Sequence, residues 1–177
     1  TSGEGGLVTT RDPILAESMR AFRNHGITTD ARSRQLEGAW YYEMQSLGFN
    51  YRLTDFQCAL AISQLKKLSG WVDRRRTIAA WYDAAFEGLD GIEPLAVRED
   101  LEHAYHLYVV RLDNRSTRER LFTHLRAEGI RVNVHYIPVH LHPFYQRTLG
   151  TSRGLCPIAE QASDLVLSLP MFPAVTE

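Results

Sequence analysis

Lysine is nearly absent from this chain. Of its twenty basic residues only Lys66 and Lys67 are lysines, and the other eighteen are arginines. Arginine neither forms a Schiff base nor acts as a general base near neutral pH, so amine chemistry has two candidates at most. Both lie late on the outer face of an expected helix, beside Leu68-Ser69-Gly70, and not in the desolvated pocket that tunes a catalytic lysine. Cysteine is as scarce: Cys58 and Cys156 stand far apart and outside any C-x-x-C spacing. They read as free thiols of a reducing compartment, with Cys58 buried on the apolar side of its helix. No apolar run approaches the ~20 residues of a membrane helix. A net charge of −1 leaves no basic surplus to neutralise nucleic-acid phosphates. The expectation is a cytoplasmic protein with neither nucleic acid nor membrane as partner.

What is present is ordinary for a globular chain: 177 residues, 44% hydrophobic and 23% charged, enough for one domain or one and a half. Leu7-Val8-Thr9-Thr10 reads as a short strand after a Gly-rich turn. Asp12-Pro13 starts a helix to about Asn24 with Ile14, Leu15, Met19 and Phe22 on one side, and Gly26 stops it. Residues 27–46 are polar and aperiodic and read as a long loop. Thr54 or Asp55 caps a helix carrying Phe56, Ala59, Leu60, Ile62, Leu65 and Leu68; Gly70 is a break or bend. A second helix follows with the stripe Ile78, Trp81, Tyr82, Ala85, Phe86, Leu89, and Arg74-Arg75-Arg76 beside it reads as a solvated face.

Beyond Asp90-Gly91 the pattern alternates. Strands are expected over His106–Leu112, Ile130–Tyr136 and Val166–Leu169. Helices are expected over Arg118–Glu128, capped by Ser116 or Thr117, and over Pro157–Leu165. This order suggests a small α+β domain with helices on one face of a sheet.

Three groups of residues carry candidate chemistry. The first is the turn Gly48-Phe49-Asn50-Tyr51-Arg52-Leu53-Thr54-Asp55, which opens directly into a helix. An amide and a guanidinium beside a helix N-terminus suit a phosphate or a sugar hydroxyl. The alternative is a structural turn, with Asn50 left-handed and Arg52 paired to Asp55. The second is His135-Tyr136-Ile137-Pro138-Val139-His140-Leu141-His142, with Tyr145 following. His135, His140 and His142 raise a metallohydrolase reading, but their spacing matches no standard zinc pattern and two prolines make the segment a kinked loop. A pocket wall of His135, Tyr136 and Tyr145 fits better, and no metal is expected. The third is the lysine pair, which does not look catalytic.

These segments together resemble the DegT/DnrJ/EryC1/StrS family of pyridoxal-phosphate sugar aminotransferases. Thr1-Ser2-Gly3-Glu4-Gly5-Gly6 is similar to the family's T-T-G-E-G-G, and Met19-Arg20-Ala21-Phe22-Arg23-Asn24-His25-Gly26-Ile27 to its M-R-x-F-R-x-H-G-I. Gly48 through Asp55, with Gln57 and Gln64-Leu65, is similar to its G-x-N-x-R-[ML]-x-[DE]-x-Q…QL. Tyr105–Tyr108, Gly129–Pro138 and Leu167–Pro173 fall in family order. Within the family, Trp40–Gln45 leading into the Asn50 turn is most similar to the pseudaminic acid branch, whose members act on UDP-linked 4-keto-6-deoxy-N-acetyl sugars.

The resemblance implies an α/β chain forming the C-terminal part of a fold type I, aspartate aminotransferase-like transferase. Residues 1–46 would end the large cofactor domain, 47–90 would hold the interface loop and linking helices, and 91–177 the small α+β domain, cut before its last helix. The implied cofactor is pyridoxal 5′-phosphate, the implied donor glutamate, and the implied acceptor a nucleotide-linked keto sugar. The implied assembly is a homodimer with active sites shared across the interface. Asn50 and Arg52 are the implied cofactor-binding residues, one or the other contacting the cofactor phosphate or the sugar nucleotide across the interface, and Phe49, Tyr51, His135, Tyr136 and Tyr145 would contact the substrate. The family's Schiff-base lysine would fall just upstream of Thr1, so this chain would hold no catalytic residue and be inactive alone. A start without methionine and an end in a helix-approach loop are read as cuts in a longer polypeptide. The rival expectation is a non-catalytic sugar-nucleotide-binding module derived from the same fold.

Overall fold

The computed structural model describes residues 1–28, 34–36, 38 and 40–176. The chain forms two compact units, Thr1–Lys67 and Leu68–Glu177.

In the first unit, α1 spans Pro13–Phe22 and α2 spans Asp55–Leu65. Asp12 starts α1 by accepting from the Ile14 and Leu15 N–H groups, with Pro13 at the position where a missing N–H costs least. Thr54 starts α2 through a reciprocal capping box with Gln57. Neither helix buries a residue completely. Cys58 is therefore exposed, contrary to expectation, because the apolar side of α2 meets no covering layer among the described residues. Leu7–Thr10 forms no strand; Leu7 and Val8 are exposed and pair with nothing described. The loop expected over 27–46 lies partly outside the described residues.

The second unit holds the core. Helix α3 runs Leu68–Phe86 and includes Gly70, where a break or bend was expected; the helices part earlier, in a turn at Lys66–Lys67. Strands β1 (Ile92–Pro94), β2 (Tyr108–Leu112) and β3 (Val166–Leu169) make an antiparallel sheet with β2 in the centre. Its register pairs Ile92 with Leu112 and Val110 with Leu167. Alternation on β2 turns Tyr108, Val110 and Leu112 inward, where they meet Ile78 and Ala79 of α3, Val132, Leu167 and Met171. Helix α4 (Arg115–Ala127) contributes Leu121, Phe122 and Leu125 to the same core. A single 3-10 turn at Val139–Leu141 leads into α5 (Pro143–Leu149), and α6 (Pro157–Leu165) precedes β3.

Several local expectations need correcting. The strand expected over His106–Leu112 begins only at Tyr108, since the Tyr105 and His106 carbonyls bond the Arg75 guanidinium instead of a neighbouring strand. Asn114, not Ser116 or Thr117, caps α4 by accepting from the Thr117 N–H, and Glu119 pairs with Arg115. The strand expected over Ile130–Tyr136 reduces to one bridge, Asn133 with Ser168. There the Asn133 side chain takes the Val134 N–H and competes with the ladder.

The arginine run is a set of clamps, not a solvated face. Arg74 bonds the Pro173 and Val175 carbonyls and lies 4.5 Å over the Trp81 ring. Arg75 donates to the carbonyls of Tyr105, His106 and Met171. Arg76 reaches the His103 carbonyl and Glu102. Guanidiniums suit this task because one planar group serves several carbonyls left over where the chain turns.

Candidate functional site

The Asn50 turn is laced onto the C-terminal end of α1. The Phe49 N–H donates to the Phe22 carbonyl at 2.7 Å, His25 donates to the Phe49 carbonyl at 3.0 Å, and Tyr51 to that of Arg23 at 3.0 Å. Gln45 adds a bond to the Gly26 carbonyl. Two glycines allow this approach. A Cβ on Gly26, whose φ is +69°, would lie 1.7 Å from the Ser46 carbonyl oxygen, and one on Gly48 would lie 2.1 Å from the Gly26 nitrogen. The H-G-I and G-F-N segments thus meet main chain to main chain.

That lacing brings Asn24 and Asn50 together as a bridge pair. Both amide oxygens face Arg52, whose Nε donates to Asn50 Oδ1 at 3.1 Å and whose Nη1 donates to Asn24 Oδ1 at 3.0 Å. The alternative reading of this turn fails on both points: the φ of Asn50 is not positive, and Arg52 pairs with the two asparagines instead of Asp55. Two acceptors fix the guanidinium plane and leave Nη2 with no partner among the described residues, as a donor for an incoming anion. The helix start contributes less than expected. Its capping box occupies the Thr54 and Gln57 N–H groups, and Asp55 adds a carboxylate to the first turn.

Phe49 and Tyr51 stack with centroids 5.0 Å apart, and Phe22 meets their rings at 5.2 and 6.0 Å. This trio anchors the turn and still leaves Tyr51 largely exposed. Beside it opens a cleft of about 790 Å³ lined by Arg20, Arg23, Asn24, Ser46 and Arg52 among others. Among the described residues, three guanidiniums stand against one carboxylate, that of Glu17, already paired with Arg20 at 2.6 Å, a balance suited to phosphate. Arg20 and Arg23 were not singled out from the sequence as site residues. Their three-residue spacing at the C-terminal end of α1, with Arg23 as its C-cap, was the available signal.

The second group lies in the other unit. His135 Nδ1 bonds the buried Ser168 hydroxyl at 2.8 Å, and the Tyr136 ring meets the His135 ring edge-on at 4.6 Å. Tyr136 is largely exposed; Tyr145 stands on α5, its ring against Phe144. The described contacts do not join Tyr145 to the other two. The three histidines go separate ways: His140 binds Glu160, His135 binds Ser168, and His142 precedes α5 without capping it. Among the described residues no three His, Cys, Asp or Glu side chains gather as a metal site.

Sequence reasoning also missed Glu160, a carboxylate only 5% exposed. It accepts from His140 Nε2 at 2.8 Å, from the Gly154 N–H at 2.7 Å and from the Cys156 N–H at 3.3 Å. Burial pushes its pKa up, but these donors outweigh burial and hold it below the usual glutamate value. Nothing in an isolated Pro-Ile-Ala-Glu helix start flags that role.

The residues present fit one end of pyridoxal phosphate. The Arg52 edge suits its phosphate, while neither lysine offers a pocket: Lys66 and Lys67 are both exposed beyond the end of α2. Among the described residues no helix is long and apolar enough to cross a membrane.

Across residues 1–177 the sequence matches the DegT/DnrJ/EryC1/StrS aminotransferase family. SpsC, a spore coat polysaccharide biosynthesis protein of Bacillus subtilis, is 39% identical over 181 residues, covering 99% of this chain and 46% of SpsC. PseC of Helicobacter pylori, an aminotransferase involved in pseudaminic acid biosynthesis, superposes with a TM-score of 0.82 at 28% identity, over 94% of this chain and 43% of PseC. The PLP-form of Spr1654 from Streptococcus pneumoniae gives 0.83 at 26% identity, over 97% and 42%. The chain thus spans less than half the length of these proteins. It belongs to the DegT/DnrJ/EryC1/StrS aminotransferase family, which is pyridoxal-phosphate-dependent and of fold type I.

Proposed function

We propose that the whole protein is a cytoplasmic, pyridoxal-phosphate-dependent transaminase that moves an amino group from glutamate to C4 of a nucleotide-linked 4-keto-6-deoxy sugar. A UDP-linked N-acetyl sugar of the pseudaminic acid type is the favoured acceptor, by analogy with what PseC is involved in making. The observation that carries this reading is the Arg52 guanidinium, held by Asn50 and Asn24 at the edge of a cationic cleft.

Bound cofactor supplies the electron sink that lets nitrogen pass between an amino acid and a keto sugar. The residues of this chain bind and orient. Arg52 offsets phosphate charge through its unused edge, and Asn50 holds that edge in place by accepting from Nε. Arg20 and Arg23 raise the local anion concentration. Phe49 and Tyr51 border the acceptor, while His135, Tyr136 and Tyr145 present a wall whose aromatic faces exclude water from a sugar ring. We assign residues 1–46 to the end of the large domain, 47–90 to the interface segment and 91–177 to the small domain. In a homodimer the Asn50 turn would serve the partner's site. The lysine would lie outside this chain, which alone would be inactive.

Subunit mixing tests the shared site. An Arg52→Ala variant and a variant lacking the Schiff-base lysine should each be inactive, and mixing them should restore up to about a quarter of activity through hybrid dimers. Mixtures that stay inactive although hybrids form would rule out the shared arrangement. A full-length protein that binds the UDP-sugar but not the cofactor would support the non-catalytic module instead.

A further inference from the structure

The segment Tyr136-Ile137-Pro138-Val139 is a strap pinned at both ends. At its start, Asn133 exchanges two backbone bonds with Ser168 of β3, at 3.1 and 2.8 Å, and His135 bonds the Ser168 hydroxyl. At its end, His140 is held twice. Its ring bonds Glu160 of α6, and its carbonyl accepts from the Thr151 hydroxyl at 2.7 Å. Between the pins Tyr136, Ile137 and Val139 are 72%, 59% and 60% exposed. Exposed apolar side chains on so short a segment would ordinarily be mobile, and ordering them would cost a ligand binding energy. Here the order is already built in by buried polar groups.

The pin at the His140 end is a made site rather than a surface pair. The Glu160 and His140 side chains are 6% and 10% exposed. Glu160 also collects the Gly154 and Cys156 N–H groups and has Arg153 at 3.8 Å. The carboxylate therefore ties three elements together: the 3-10 turn carrying His140, the 151–156 loop and α6. Helix α5, which carries Tyr145, leaves directly from that turn, with the Gln146 N–H bonded to the His142 carbonyl.

We propose that Glu160, acting through His140, is a positioning residue that holds Tyr136 and Tyr145 preformed for the sugar-nucleotide acceptor. This rests on the transaminase reading above. Glu160 touches neither acceptor nor donor; its effect is to remove the ordering cost of the acceptor wall. It should thus govern acceptor affinity and leave the half-reaction with glutamate alone.

The test is steady-state kinetics of the full-length enzyme with glutamate and a UDP-linked 4-keto-6-deoxy-N-acetyl sugar, with acceptor affinity measured separately by calorimetry. Glu160→Ala should raise KM and Kd for the sugar about 10-fold, with kcat and the glutamate KM within about 2-fold. Glu160→Gln keeps an acceptor oxygen for His140, Gly154 and Cys156 and should recover most of the loss. His140→Ala and Thr151→Val disturb the same pin with less risk to folding and should shift the sugar KM in the same direction. The glutamate KM and kcat moving in parallel with the sugar KM, or His140→Ala and Thr151→Val both leaving the sugar KM unchanged, would overturn the positioning role in an otherwise active enzyme. A wild-type protein that transfers no amine to any keto sugar would instead overturn the reading beneath it.

Discussion

Replacing Gly48 with alanine should uncouple the Asn50 turn from α1 and leave the rest of the fold intact. The added Cβ would sit 2.1 Å from the Gly26 nitrogen, 2.7 Å from the His25 carbonyl carbon and 2.8 Å from the Phe22 carbonyl oxygen, all main-chain atoms. Relief to van der Waals distance requires the turn to withdraw by roughly 1 Å. The bonds from Phe49 to Phe22, His25 to Phe49 and Tyr51 to Arg23 now span 2.7 to 3.0 Å and would pass beyond useful length. At about 1 kcal/mol net each, the laced turn loses about 3 kcal/mol. Its population then falls on the order of 100-fold. Because Asn50 and Arg52 ride on that turn, affinity of the full-length protein for pyridoxal phosphate, read by fluorescence titration, should drop by a similar factor. Hydrogen exchange over residues 44–52 should quicken. Unchanged cofactor affinity together with quickened exchange would refute the link between the turn and phosphate. Unchanged exchange would refute the packing argument itself.

The opposite sign is expected at Gly70, which sits inside α3 with open space where a Cβ would stand; Gly70→Ala should stabilise by about 0.5–1 kcal/mol in urea unfolding. Arg75→Met removes a charged donor from three carbonyls and should cost about 3 kcal/mol, whereas Arg98→Ala breaks an exposed pair with Asp100 and should cost under about 1 kcal/mol. Glu160 titrates below its ordinary value in the folded chain, so its contribution to stability is complete above the unfolded pKa of 4.5 and is lost as pH falls through the lower folded value. Acid unfolding of Glu160→Gln should accordingly depend less steeply on pH across that window.

Much of the helical pattern was legible because its signals are local. Asp12-Pro13, Thr54 or Asp55, and Pro157 each mark a helix start by chemistry confined to one turn, and the structure selects Thr54. Strand β2 was legible for the same reason, from the β-branched and aromatic residues of His106–Leu112, although it begins only at Tyr108. What escaped depends on contacts between residues distant in sequence. Arg75 reads as a surface charge until Tyr105, His106 and Met171 bring it three carbonyls. Ile130–Tyr136 alternates like a strand, but only Asn133 finds a partner on β3. In the candidate site, Asn50 and Arg52 were visible as residue types. Asn24, which completes the grip on Arg52 from 28 residues away, was not.

The claim of nitrogen transfer is the one on which the rest depends, and isotopic labelling addresses it directly. The full-length protein would be incubated with pyridoxal phosphate, amine-labelled glutamate and a UDP-linked 4-keto-6-deoxy-N-acetyl sugar, and the nucleotide sugar measured by mass spectrometry. The account predicts a 4-amino sugar carrying the label, formed in step with 2-oxoglutarate. A sugar that remains a ketone while the protein is loaded with cofactor would contradict it.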